Sequence, residues 1–401
     1  MKKISKCAML LVMVCFMTTM FSSCSDDNKD GNKKVTLSEG DRYLKKVLAA
    51  SVENTINPTY KLLADSCEIL YLQLSNMKAG NITQSEVNDA CKTFLHARAN
   101  YERSEAFLLG AAAHFLIDPH IDSWPLGLKE LHTYLAGEGP VKPINDQSML
   151  GFHGIEFILF RDGKPRKADE LNTKDSYNKD GLDFTIFTGE RELAYAKTVA
   201  LDLRNSVYRL QCSWDENAAK SRFEVLDELE TTYVTDKGHS YGYELKNAGD
   251  PIKSTYVSVK LAVSSLLNGD KGASGIADEV GNTKINNPYS GDDVNYIESP
   301  YSYNSLIDFQ NNIHSIENIW YGGIAGHRSE YNFHNYFVKY NPAAGQRVEN
   351  AIKNAIQQIA KIPSPFVLHY KDAQCGNAIK ACQEVKEALD ASVQFISSNN
   401  K

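Results

Sequence analysis

The chain has 401 residues, with 43 Lys and Arg against 50 Asp and Glu, for a formal charge of −7. Hydrophobic residues at 42% and charged residues at 23% sit near a globular average, which excludes a disordered chain, a collagen and a multi-span membrane protein. The acid excess argues against nucleic acid as a partner, since phosphate binding needs a basic face, and at roughly 150 residues per domain the length points to two domains.

Lys2, Lys3 and Lys6 form a basic n-region, and Ala8 to Phe21 form an apolar stretch of signal-peptide length. It falls short of the roughly 20 apolar residues of a membrane span. Phe21-Ser22-Ser23-Cys24 resembles the lipobox of bacterial lipoproteins, whose cysteine is diacylated after cleavage. The expectation is a signal peptide over 1–23, lipidation of Cys24, and a polar tether over 24–36. Cleavage removes three lysines and no acid, leaving 40 basic and 50 acidic residues, a charge of −10. The run Ser25-Asp26-Asp27-Asn28-Lys29-Asp30 resembles the surface-export signal of some Gram-negative lipoproteins. An outer-membrane location, facing the periplasm or the cell surface, follows as an expectation.

Beyond the tether the apolar spacing is helical. One helix is predicted from Ser38 to Met77, kinked at Asn57-Pro58. Others are predicted over Thr83–Gly110, Gln147–Phe160, Gly189–Ser213 and Asp215–Tyr233. Pro251 opens a further helix that ends at Asn268-Gly269. Leu306, Phe309, Ile313, Ile316 and Trp320 step by three and four within Ser302–Tyr321. Asn341-Pro342 opens a helix closed by Pro363, and Ala378 to Ile396 marks the last. Long loops rich in Gly, Asn and Asp are expected at Arg161–Thr188 and Gly269–Pro300. The predicted fold is all-α, two helical-bundle domains over 37–214 and 215–401, the second a four-helix bundle.

Five cysteines remain outside the signal peptide and Cys24: Cys67, Cys91, Cys212, Cys375 and Cys382. An odd, scattered set is no disulfide framework. Cys375 and Cys382, seven apart on a helix, lie about 10 Å apart, beyond disulfide reach.

The segment 149–160 reads Met-Leu-Gly-Phe-His-Gly-Ile-Glu-Phe-Ile-Leu-Phe, and its only ionisable groups are His153 and Glu156. A helix apolar all round must be buried, and a lone buried carboxylate is costly unless paired, hydrogen-bonded, protonated or metal-bound. Three residues apart, the imidazole and carboxylate share one face. Such a pair is a normal donor set for iron or zinc. A buried His–Glu hydrogen bond that locks helix packing explains the same residues. Gly151 and Gly154 leave room for a backbone or a ligand to approach. Two further His-x-x-Glu pairs, His314/Glu317 and His327/Glu330, read as solvated faces.

Other polar residues are candidate binding groups. Glu102 and Glu105 form a second i, i+3 pair, with Glu105 pressed against the apolar Ala106–Leu109 run. Ser305, Asp308 and Asn312 step along one helix face. Asp118 and Asp122 bracket Pro119 and either cap a helix or line a cleft.

Gly151-x-His153-x-x-Glu156 resembles the GxHxxE signature of the imelysin-like family of bacterial lipoproteins and periplasmic proteins. The blocks Tyr101-Glu102-Arg103-Ser104-Glu105-Ala106-Phe107, Ile121-Asp122-Ser123-Trp124-Pro125 and Ser302-Tyr303-Asn304-Ser305-Leu306-x-Asp308-Phe309 are also similar to family blocks, so the resemblance spans roughly 40–398. It implies paired helical bundles with the signature motif near their interface. It also implies one of two activities, insulin-cleaving proteolysis or iron uptake. HExxH is missing, and so is a G-x-S-x-G elbow. A metallopeptidase needs three protein ligands, an open position and a base, and here two ligands stand out.

The leading expectation is therefore a lipid-anchored protein that binds a metal ion, iron before zinc, and serves iron uptake with a partner protein. His153, Glu156 and Glu105 would be its ligands. Glu102, Asp118, Ser305, Asp308 and Asn312 would be nearby binding groups. A metal-dependent endopeptidase using Glu156 as ligand or base, and a scaffold with a structural His–Glu pair, are the alternatives.

Overall fold

The computed structural model describes residues 37–401 apart from residue 180. The expected signal peptide, the lipidated Cys24 and the tether lie outside the described residues. The fold is all-α: α1 (Glu39–Ser51), α2 (Asn57–Asn76), α3 (Gln84–Glu102), α4 (Gly151–Leu159), α5 (Gly189–Trp214), α6 (Val259–Asn268), α7 (Ala273–Glu279), α8 (Ser305–Trp320), α9 (Phe333–Tyr340), α10 (Pro342–Ile359) and α11 (Ala373–Ser398) are its principal helices. Two short hairpins, Phe160–Arg161 with Lys164–Pro165 and Asn178–Lys179 with Leu182–Asp183, are the paired strands among the described residues.

Leu37–Lys401 forms one compact unit, inside which the helices gather in two groups. In the first, α2 lies along α3 and α5, and α4 packs on α5. In the second, α11 is flanked by α10, α7 and α6. Helix α8 packs on α10 and on α3, so it joins the groups, and α1 lies with the second group against α6 and α9. No helix of the described residues is long and apolar enough to cross a membrane.

Local chemistry sets the ends. Ser38 Oγ caps α1 by accepting from Asp41 N at 3.1 Å. Thr83 and Glu86 form a capping box at α3. At the expected kink before Pro58 the chain makes a π-helical turn, Val52–Ile56. Proline has no N–H for Asn54 O, one turn back, and Ile324 N donates to that carbonyl at 3.2 Å instead. The Pro58 signal therefore marks a place where a distant loop docks.

Several predicted boundaries move. The helix predicted to reach Gly110 ends at Glu102, because Ser104 turns its hydroxyl onto Tyr101 O at 2.6 Å and the chain leaves the helix. The helix expected from Pro251 starts at Val259; Asp250 accepts from Ile252 N at 3.0 Å, holding a turn there. Gly269–Pro300, expected as loop, contains α7 and a π-helical turn, Val280–Ile285. Buried Ala273, Ile276, Ala277 and Val280 supply the helical spacing that the Gly and Asn content hid. The five described cysteines are free and buried.

Candidate metal centre

Helix α4 starts where Gly151 takes φ +76°, and a Cβ there would stand 2.2 Å from Ile121 O. Only glycine suits both demands, and the contact seats α4 against the segment that carries Asp122. Gly154 leaves space for the Tyr195 hydroxyl, which donates to Met149 O at 2.6 Å. The two glycines thus admit backbone and a tyrosine.

All of α4 is buried, with His153 1% and Glu156 0% exposed. His153 Nδ1 is hydrogen-bonded to Glu156 Oε2 at 3.3 Å. Its Nε2 makes an ion-pair contact with Asp122 Oδ1 at 3.0 Å, bent away from ideal hydrogen-bond geometry. The Trp124 ring covers the imidazole, centroid to centroid 4.3 Å. Glu156 Oε1 accepts from Tyr301 N at 3.1 Å, Ser302 N at 2.8 Å and Ser302 Oγ at 2.7 Å. Glu156 therefore ties α4 to the loop before α8 and orients the imidazole.

Beside this pair, Arg98 of α3 is fully buried. Its guanidinium meets Glu102 at 2.6 Å, contacts Asp122 and Glu298, and lies 3.8 Å from Asp308. Lys284, from the second π-helical turn, stands 3.1 Å from Glu298 and 3.8 Å from Glu102. Asn312 Nδ2 donates to Glu102 Oε2 at 2.5 Å. Asp308 accepts from Ser299 Oγ and Asn304 Nδ2, both at 2.6 Å.

Three buried carboxylates, Glu102, Glu298 and Asp308, and the partly buried Asp122 thus face the buried cations Arg98 and Lys284, an imbalance that low dielectric makes costly. Burial pushes Glu102 well above the ordinary carboxylate range despite Arg98 and Lys284. It raises Glu105 in the same way. Asp308 is pushed up to about 7 by burial, with Glu298 and Glu156 adding to the rise against Arg98. Burial works to raise Asp122 too, but Arg98 and His153 outweigh it and hold that carboxyl below its usual range. Burial and Arg98 oppose a charged His153, yet the Asp122 and Glu156 carboxylates prevail and raise its pKa. The raised groups favour their protonated forms, and a bound cation would compete with those protons.

Two groups bring potential ligand atoms within 4.8 Å of one another: Asp122, His153 and Glu298, and Glu102, Glu105 and Asp122. Of the residues singled out in the sequence, His153, Glu156, Glu102, Glu105, Asp308 and Asn312 converge here. Ser305 donates to Glu298 O, so it shapes the loop. Asp118 sits further out, accepting from the Tyr101 hydroxyl and 3.4 Å from Lys271. Arg98, Lys284 and Glu298 had no signal strong enough to find them. Arg98 stands in an amphipathic helix where an arginine gives no sign of burial, while Lys284 and Glu298 lie in the segment expected as loop.

A family model described as Imelysin matches residues 56–392. The chain belongs to the imelysin family. Iron-regulated protein A from Synechococcus elongatus is 23% identical over 342 residues, 85% of this chain and 76% of that protein. The crystal structure of an iron-regulated protein A precursor from Parabacteroides distasonis is similar with a TM-score of 0.73 and 26% identity, covering 90% of this chain and 98% of that one. An imelysin-like protein from Psychrobacter arcticus shares the fold, with a TM-score of 0.55, 11% identity, and coverage of 91% and 96%.

Proposed function

We propose that this imelysin-family protein binds a metal ion, iron in the first place, with Asp122, His153 and Glu298, and serves iron uptake as a binding or delivery component. The observation that carries the reading is a pair of buried ligand atoms with incompletely met hydrogen-bonding capacity. His153 Nε2 makes only an ion-pair contact with Asp122, Glu298 Oε2 has no hydrogen-bond partner among the described residues, and both sit in a cluster with more carboxylates than cations. Such atoms are costly unless something unseen satisfies them. A divalent ion would neutralise the excess, and an imidazole with two carboxylates is a donor set suited to iron. Glu156 would hold the imidazole tautomer through Nδ1, as carboxylates behind ligating histidines do.

The names of the relatives from Synechococcus and Parabacteroides, both iron-regulated protein A, support iron over zinc. An anchor at Cys24 would place the protein at the outer membrane, where captured iron could pass to an uptake partner. Metal analysis of protein purified from iron-replete cells tests the assignment. Near-stoichiometric iron in the native protein, lost in His153→Ala and Glu298→Gln, is expected. Equal metal in all three would overturn it.

A further inference from the structure

The opposite side of the α3–α8 contact presents residues that take no part in the metal centre. Helix α3 ends with Glu102 buried in the centre, and the next residue, Arg103, turns outward. Likewise α8 sends Asn312 to Glu102 and Asn311 to Arg103. A groove of about 360 Å³ lies there, lined by Asn100, Arg103, His314, Glu317, Asn318 and Arg328 among others. That volume suits a small molecule.

The charge in the groove is unusual for so acidic a chain. Glu317 is the acid among those six, and both its oxygens are engaged: Oε2 by His314 Nδ1 at 2.8 Å and Oε1 by Arg328 Nη2 at 2.9 Å. Arg103 donates through Nε to Asn311 Oδ1 at 3.0 Å, and no carboxylate pairs with it among the described residues. Burial pulls its guanidinium below the usual value with no acid to restore it. Two terminal guanidinium nitrogens are thereby left without a partner in a partly enclosed recess. A planar fork of that kind matches an oxyanion in two parallel hydrogen bonds.

The far wall is fixed in place. Ile324 N is bonded to Asn54 O at the π-helical turn, and Gly323 N to Asn318 O at 2.9 Å, which sets the loop carrying Arg328. Arg328 also lies over the Tyr321 ring at 4.3 Å. The recess is preorganised, which lowers the ordering cost of binding.

We propose that this groove binds a small oxyanion with two or more charges, a polycarboxylate or a phosphate, held between Arg103 and Arg328. Calorimetric titration of the mature protein with citrate and with inorganic phosphate, at constant ionic strength set by chloride, tests it. Saturable one-to-one binding of at least one anion is expected, weakened about tenfold or more in both Arg103→Gln and Arg328→Gln. The tighter anion identifies the ligand class. Both arginines are exposed, and a thermal melt matching that of the native protein verifies each variant; should one misfold, the other carries the test. No saturable heat with either anion, or undiminished binding in a folded variant, would overturn the proposal. Metal content is expected unchanged in both variants, so this result and that of the metal centre fall independently.

Discussion

His153 Nε2 and Asp122 Oδ1 form a buried ion-pair contact at 3.0 Å. The imidazole is anchored on its other side by Glu156, itself fixed by three donors from Tyr301 and Ser302. One nitrogen is locked by Glu156, and the other faces the Asp122 carboxylate in an ion-pair contact. That asymmetry is the arrangement of a ligand more than of a packing contact.

If protons stand in for a cation here, metal affinity must depend on pH. The pKa of His153 is raised, and a metal must displace that proton. Iron affinity, followed by competition with a chelator, is expected to fall as pH drops from about 8 to about 5.5. In His153→Gln, the remaining pH dependence should be shallower.

Asp308 gives a stability test. Its carboxyl titrates at about 7 in the fold against 3.8 ordinarily. Between those values the folded state holds more protons than the unfolded chain. The contribution of Asp308 to stability is thus present at low pH, is lost as pH rises through that window, and stays lost above it. Asp308→Asn, which cannot ionise, is expected to gain stability relative to the native protein on going from about pH 5 to about pH 8. Urea midpoints measured at both pH values check this; parallel shifts would contradict it.

Arg98 is the cation that the surrounding carboxylates share. Arg98→Ala would leave buried charges uncompensated, at roughly 3–5 kcal/mol. The loss should be smaller near pH 5, where the released carboxylates take up protons. Denaturant titrations across pH measure the difference, and a pH-independent loss would show that packing of the arginine stem dominates.

Gly151 is required by backbone geometry. With φ +76° and Ile121 O only 2.2 Å from the position of a Cβ, Gly151→Ala is expected to cost at least roughly 2 kcal/mol. It should also reduce metal content, because Asp122 follows the displaced carbonyl. Normal stability with normal metal would contradict the role given to this contact.

The sequence carried the all-α class, most long helices and the buried His153/Glu156 pair, because those rest on apolar periodicity. Residues whose role depends on three-dimensional closure were hidden. Glu298 and Lys284 lie in a Gly- and Asn-rich stretch whose helical turns become clear only once Ile276 and Val280 are seen to be buried. Arg98, polar within an amphipathic helix, is indistinguishable in sequence from a solvated arginine. The His314/Glu317 pair, expected to be wet, does line an open groove, yet the unpaired Arg103 beside it follows from the meeting of α3 and α8.

Anomalous diffraction at the iron edge, from crystals of the native protein grown with ferrous iron, tests the central claim most directly. The account predicts a single strong peak beside His153 Nε2, shared with Asp122 and Glu298 and absent from His153→Ala crystals. Iron-loaded crystals with no density at that nitrogen, and with Arg98 still bridging Asp122 and Glu298, would contradict it.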